Sequence, residues 1–210
     1  MQRLPAHRPD GAPDAASVAA AVAALRAGTL VILPTDTVYG IAADAANAAA
    51  VDRLFLAKGR LRSKAVALLA ASAEQAATVA DLSSSAARRL VASYWPGALT
   101  LVAPAIVTFP EGVGADGTIG VRVPANPVVQ AIAAQLGRPL AVSSANRSDA
   151  DAPVAFVGAV AAIGAWVALA LDGGDCPLGV ASTVVDIRGE RLLVLRQGGI
   201  DVTQDGPLRH

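Results

Sequence analysis

The chain has 210 residues, 54% of them hydrophobic and 16% charged, and its 17 Lys and Arg balance 17 Asp and Glu. That length supports one domain with its own core, and zero net charge removes the global electrostatic signature of a nucleic-acid or anionic-lipid binder. Much of the hydrophobicity is alanine, no run of about 18 strongly apolar residues could span a bilayer, and the lone Cys176 fits a reducing compartment rather than a disulfide framework.

The N-terminus carries Pro5, Pro9 and Pro13 where a signal peptide would hold its apolar run. Residues 1–14 therefore read as a flexible tail on a cytoplasmic protein. Val18, Val22 and Leu25 then recur at helical spacing behind Asp14 or Ser17 as N-cap, and Gly28 ends the helix. TLVIL predicts a strand, after which the chain abandons that pattern for Thr35, Asp36, Thr37 and Tyr39. Asn47 to Lys58 predicts an amphipathic helix with Val51, Leu54 and Phe55 on one stripe, followed by the short apolar run AVALLA. Ser72 with Gln75 resembles a capping box, and Ser83 to Trp95 reads as a helix stopped by Pro96-Gly97. ALTLVAPA and TIGVRV follow as strands. Asn126-Pro127 opens a helix that Gly137 closes, PLAVS returns as a strand, Val154 to Ile163 forms a helix and WVALAL a strand. STVVDI and RLLVLR, joined at Arg188-Gly189-Glu190, read as a hairpin. The alternation predicts a single α/β domain over residues 15–201, a twisted mixed β-sheet flanked by helices with a concave ligand cavity, and a C-terminal tail over 202–210.

Several motifs fail on context. Gly112 to Gly117 matches GxGxxG but leads into a strand rather than a helix, so a loop is expected. No P-loop, HExxH or paired-cysteine spacing occurs, and the two histidines, His7 and His210, lie at the chain ends. Four polar clusters do fall at strand ends, where ligand crevices form in α/β sheets: Thr35 to Gly40, Ser143 to Asn146, Ser182-Thr183, and Arg196 to Gly199. Between Arg53 and Ala73 stand five cations and no acid, equally readable as a solvated helix end. Together these features fit a site that holds anions and lets the substrate supply the nucleophile. Individually they have plainer readings. Arg122 and Arg196 could be strand-surface arginines, Tyr39 a core residue with its hydroxyl at the rim, Asp36 and Asp172 turn formers, and Cys176 a filler.

The segments LPTDTVYGIAADA, AKGR, WPGALTLV, VRVPANP, PLAVSSANRS, GVASTVVDI and LRQGGI occur in an order and spacing that resemble the YrdC family, the L-threonylcarbamoyladenylate synthases, from about Ala16 to Ile200. The resemblance implies a nucleotidyltransferase that forms threonylcarbamoyl-AMP and pyrophosphate from L-threonine, bicarbonate and ATP. It implies Lys58 and Arg60 as catalytic residues, and these with Lys64, Thr118, Ser144, Asn146 and Arg196 as ATP contacts. Thr37, Tyr39, Arg122, Val142 and Ser182 would hold threonine, with Gly40 letting the backbone turn away. The sequence departs from the family pattern at Leu61, Leu69 and Gln197. Three charge-assisted contacts of about 2 kcal/mol each fall short of the ~8 kcal/mol of micromolar binding. Mg²⁺ carried by ATP is therefore expected, without a dedicated protein site. The implied partner is a tRNA threonylcarbamoyl-transferase complex engaged transiently, with at most weak RNA binding and no membrane. A stand-alone RNA-binding module and a carbamoyl-transfer domain related to hydrogenase-maturation proteins are the alternatives; the chain's seven aromatics argue against the first.

Overall fold

The first helix forms because its start is chemically fixed. Asp14 accepts a hydrogen bond from the Ser17 amide at 2.8 Å, and α1 runs Ala15–Arg26, burying Val18, Val22 and Leu25. In the computed structural model, which describes residues 1–189 and 191–202 and the backbone of 208 and 209, the same logic sets the other helices. Asn47 caps α2 (Ala48–Lys58), and Gly59 closes it in the left-handed conformation. Ser72 caps the short α3 (Ala73–Ala77). Its partner Gln75 bonds the Ala71 amide rather than that of Ser72, so the capping box is displaced by one residue. Ser84 caps α4 (Ser85–Tyr94), Asn126 caps α5 (Pro127–Leu136), and α6 (Phe156–Ile163) begins without a side-chain cap.

The strands are β1 (Gln2–Pro5), β2 (Val31–Leu33), β3 (Gly40–Asp44), β4 (Ala67–Leu69), β5 (Leu99–Pro104), β6 (Thr118–Arg122), β7 (Leu140–Ser144), β8 (Leu169–Asp172), β9 (Thr183–Asp186), β10 (Leu192–Arg196) and β11 (Leu208–Arg209). Among the described residues they form one mixed, open sheet ordered β1-β8-β2-β3-β7-β4-β6-β5-β9-β10-β11. The predicted hairpin is β9–β10, antiparallel with a register shift between Val194 and Arg196. Glu190 of its turn lies outside the described residues.

Two expectations change. The first residues, expected as a tail, instead form an edge strand: β1 pairs in parallel with β8, and Ala6 is fully buried. The stretch after Tyr39 is the unpredicted strand β3, which pairs with β2 on one side and β7 on the other. The tail expected over 202–210 lies largely outside the described residues, although Val202 is buried and β11 pairs with β10.

Each sheet face has its own core. Helices α2, α4 and α6 cover one face over Leu68, Leu101, Ile119 and Val121. Helices α1 and α5 cover the other over Val31, Leu33, Ala42, Leu140 and Leu169. Because side chains alternate along a strand, Ala67, Leu69, Gly120 and Arg122 point to the α1/α5 side. Those two helices pack on the part of the sheet built from β8, β2, β3 and β7; over β4, β6, β5 and β9 that same face instead floors a cavity. No helix of the described residues is long and apolar enough to cross a membrane.

Candidate active site

The cavity encloses about 470 Å³, within the range of small-molecule sites. Its floor is read from alternate strand positions: Thr100 and Val102 of β5, Gly120 and Arg122 of β6, Ala67 and Leu69 of β4, Val142 and Ser144 of β7. The Thr35 to Gly40 segment and Asn146 wall it on one side, and Ser182, Val184 and Arg196 on the other. Three guanidinium groups (Arg60, Arg122 and Arg196) line it, and no acidic side chain does so among the described residues. Burial lowers the pKa of all three, Arg196 further lowers those of Arg60 and Arg122, and Asp36 partly offsets the effect on Arg122. They remain charged at neutral pH. Arg122 is buried, Arg60 half-buried and Arg196 exposed at the cavity edge, and three like charges facing one cavity call for an anion.

Arg122 is 4% exposed. Its Nε donates to the Gly97 carbonyl at 2.8 Å, Nη1 to Thr37 Oγ1 at 3.0 Å and Nη2 to Asp36 Oδ1 at 2.6 Å. Asp36, expected as a turn former, is thus the buried counter-ion of the cavity's innermost arginine, and its Oδ2 is buried without a hydrogen-bond partner. The Thr35 hydroxyl organises the segment by accepting from the Thr37 and Val38 amides and donating to the Val38 carbonyl. Thr35 Oγ1 also lies 2.8 Å from Thr37 Oγ1. The two amides and the Val38 carbonyl already fill the Thr35 hydroxyl; Thr37 accepts from Arg122, which leaves a second Thr37 lone pair for an incoming N–H.

Tyr39 does not place its hydroxyl at the rim. It is fully buried, donates to Gly174 O at 2.7 Å and accepts from Gly173 N at 3.0 Å, and burial pushes its pKa up to about 12. The residue is a wall that ties the segment to the loop after β8. Gly40 does not turn the chain away either. It opens β3 opposite Ser144, and a Cβ there would stand 2.8 Å from Val142 Cγ1.

Arg60, Thr118, Ser144, Asn146 and Arg196 all line the cavity, as do Thr37, Tyr39, Arg122, Val142 and Ser182. Lys58 and Lys64 do not. The Lys58 amine is 1% exposed and donates to Ser144 O at 2.5 Å, Asn146 O at 2.8 Å and Asn146 Oδ1 at 3.1 Å. It therefore fastens the end of β7 to α2 from behind the wall, with its pKa lowered to about 8 by burial and by Arg60. Lys64 is exposed and lies 3.7 Å from Asp149. The cationic run is dispersed in the same way: Arg53 caps the Gly28 carbonyl, and Arg62 pairs with Asp52 and stacks on Phe55. Of its five cations only Arg60 lines the cavity, its own position fixed by Nε donating to Lys64 O at 2.6 Å. Sequence reasoning missed Asp36 as counter-ion and Thr100, whose hydroxyl meets Ser182 Oγ at 2.8 Å. No group of three or more His, Cys, Asp or Glu able to hold a metal occurs among the described residues. Gly112, Gly114 and Gly117 have positive φ in the loop before β6, so the GxGxxG match is a turn-rich loop.

Fold and site together define an open mixed-sheet α/β domain with an arginine-lined cavity over an uncovered part of its sheet. Residues 23–198 match the profile of the Sua5/YciO/YrdC family, described as "Telomere recombination". A Mycobacterium tuberculosis protein provisionally named threonylcarbamoyl-AMP synthase is 40% identical over 178 residues, covering 84% of this chain and 82% of its own length. The threonylcarbamoyl-AMP synthase of Pyrococcus abyssi is 35% identical over 86% of this chain, which spans 53% of that longer protein. The crystal structure of P. abyssi Sua5 complexed with L-threonine superimposes with a TM-score of 0.91 at 30% identity, over 100% of this chain and 63% of that one. The chain belongs to the Sua5/YciO/YrdC family.

Proposed function

We propose that the protein is a threonylcarbamoyl-AMP synthase that joins L-threonine, bicarbonate and ATP with release of pyrophosphate, for threonylcarbamoyladenosine modification of tRNA in the cytoplasm. One observation carries this reading: Arg60, Arg122 and Arg196 share a single cavity with the hydroxyls of Thr37, Ser144 and Ser182. The names of the Mycobacterium and Pyrococcus relatives support the substrates.

Arg122 takes the threonine carboxylate through the N–H groups not spent on Asp36, Thr37 and Gly97, and the free lone pair of Thr37 accepts from the threonine nitrogen. That nitrogen attacks bicarbonate carbon with loss of water, giving a carbamate. A carbamate oxygen then attacks the α-phosphorus while the bond to the pyrophosphate oxygen breaks. Arg60 and Arg196 neutralise the phosphates, and Thr118, Ser144 and Asn146 orient the nucleotide. No side-chain nucleophile is required, in keeping with a cavity that offers charge and orientation rather than an acid–base pair. Mg²⁺ would enter with ATP and help neutralise its phosphates. Lys58 serves by holding Ser144 and Asn146. The product passes to a tRNA-modifying transferase by transient contact.

The test is pyrophosphate release from ATP with threonine and bicarbonate supplied together or singly. Release that needs both, and that Arg60→Ala abolishes, is expected. Equal release without threonine would remove the amino-acid assignment.

A further inference from the structure

One hydroxyl makes three of the hydrogen bonds that hold the segment after β10 to the sheet. Thr183, fully buried at the start of β9, donates to Ile200 O at 2.6 Å and accepts from Gly198 N at 3.0 Å and Ile200 N at 3.1 Å. A threonine hydroxyl has one proton and two lone pairs, so these contacts use its whole capacity. Gly198 lies so close to β9 that a Cβ there would meet Ala181 O at 2.2 Å and Thr183 N at 2.5 Å. Thr183 itself does not line the cavity, but its neighbours across this latch do. Arg196 stands two residues before Gly198, and its Nε and Nη2 donate to Ser182 O at 3.0 Å and Ser182 Oγ at 3.1 Å. Ser182 immediately precedes Thr183. The latch thus fixes, from outside the cavity, both members of the pair that forms one of its walls.

We propose that Thr183 is a positioning residue that sets the Arg196 guanidinium for the nucleotide phosphates by locking the backbone of 198–200 onto β9. Without those three bonds residues 198–200 loosen from β9, and the end of β10, where the ladder already shifts register between Val194 and Arg196, loses its anchor just beyond Arg196. The guanidinium then samples positions away from the cavity, while its charge is unchanged and Ser182 remains in place. This rests on the assignment of Arg196 to ATP made above.

The experiment is a double-mutant cycle read by calorimetric titration of the full chain with Mg·ATP. Thr183→Val, nearly isosteric but without the hydroxyl, is expected to weaken ATP binding about tenfold, the scale of one misaligned charge-assisted hydrogen bond. Thr183→Ser, which keeps the hydroxyl, is expected to bind as the wild type does. Arg196→Ala weakens binding by itself, and Thr183→Val in that background is expected to add nothing, because the group being positioned is gone. Independent, multiplying losses would overturn the proposal, as would unchanged ATP affinity in Thr183→Val. Should Thr183→Val fail to fold, the cycle is run with Thr183→Ala, which removes the same hydroxyl without adding bulk, under the same two criteria. A wild-type protein that does not bind Mg·ATP would instead defeat the functional reading on which the proposal rests.

Discussion

Replacing Asp36 by alanine tests the electrostatic centre of the site. Asp36 and Arg122 are 5% and 4% exposed, with 2.6 Å between Oδ1 and Nη2. At an effective dielectric near 20, that separation corresponds to about 6 kcal/mol of attraction, part of which is offset by desolvating both ions. Removing one member of such a pair costs about 3–5 kcal/mol, because the other charge stays buried. Here the lower end is expected, for two reasons. Arg122 keeps its bonds to Gly97 O and Thr37, and the unpartnered Asp36 Oδ2 already burdens the folded state. Asp36→Ala should therefore lose about 3 kcal/mol in urea unfolding at neutral pH, a large share of the 5–15 kcal/mol of a typical domain. Asp36→Ala/Arg122→Met should be more stable than Asp36→Ala alone, since the orphaned charge is gone. A single-variant loss below about 1 kcal/mol, or a double variant less stable than the single, would refute the claim that this pair is dry and coupled.

Lys58 gives a pH signature. Its folded-state pKa is about 8 against an ordinary 10.5, so between those values the unfolded chain holds a proton that the native protein has released. Stability from this group should rise with pH across that window and be flat below it. The urea midpoint of Lys58→Met, compared with wild type between neutral pH and pH about 10, should lack that rise. Gly40→Ala places a methyl 2.8 Å from Val142 Cγ1. It should cost about 1–3 kcal/mol by overpacking, seen in thermal unfolding, and weaken threonine binding as Val142 shifts in the cavity wall. Tyr39→Phe leaves Gly174 O and Gly173 N without their shared partner. A loss of about 1–3 kcal/mol, with faster amide exchange at Gly173, is the expected outcome by denaturation and hydrogen exchange.

Local chemistry was legible where it is enforced locally. Asp14, one of the two caps considered for α1, and Ser72 cap their helices, Asn126 opens α5 as expected, and Gly137 ends it in the left-handed conformation. Strand β3 was not legible, because it is buried along its whole length and a strand covered on both faces loses the polar alternation that marks a half-exposed one. Its alanines also carry little strand preference. The cavity residues were found as clusters at strand ends and through the family resemblance, but their directions were not. Spacing alone could not tell that Arg60 enters the cavity while Lys58, two positions earlier, turns inward to Ser144 and Asn146. Asp36 meets Arg122 across 86 positions of sequence, and no local pattern encodes such a partner. Ser182-Thr183 read as one polar cluster, and spacing did not show that only Ser182 faces the cavity.

The proposed reaction requires a nucleotide and an amino acid to meet in one cavity and to be joined there through a one-carbon unit. Incubating the protein with ATP, L-threonine and ¹³C-bicarbonate and resolving the products by mass spectrometry tests it most directly. Threonylcarbamoyl-AMP carrying the label is expected, formed together with pyrophosphate and lost in Arg60→Ala. Pyrophosphate without a labelled adenylate, or an adenylate formed equally well without threonine, would contradict it.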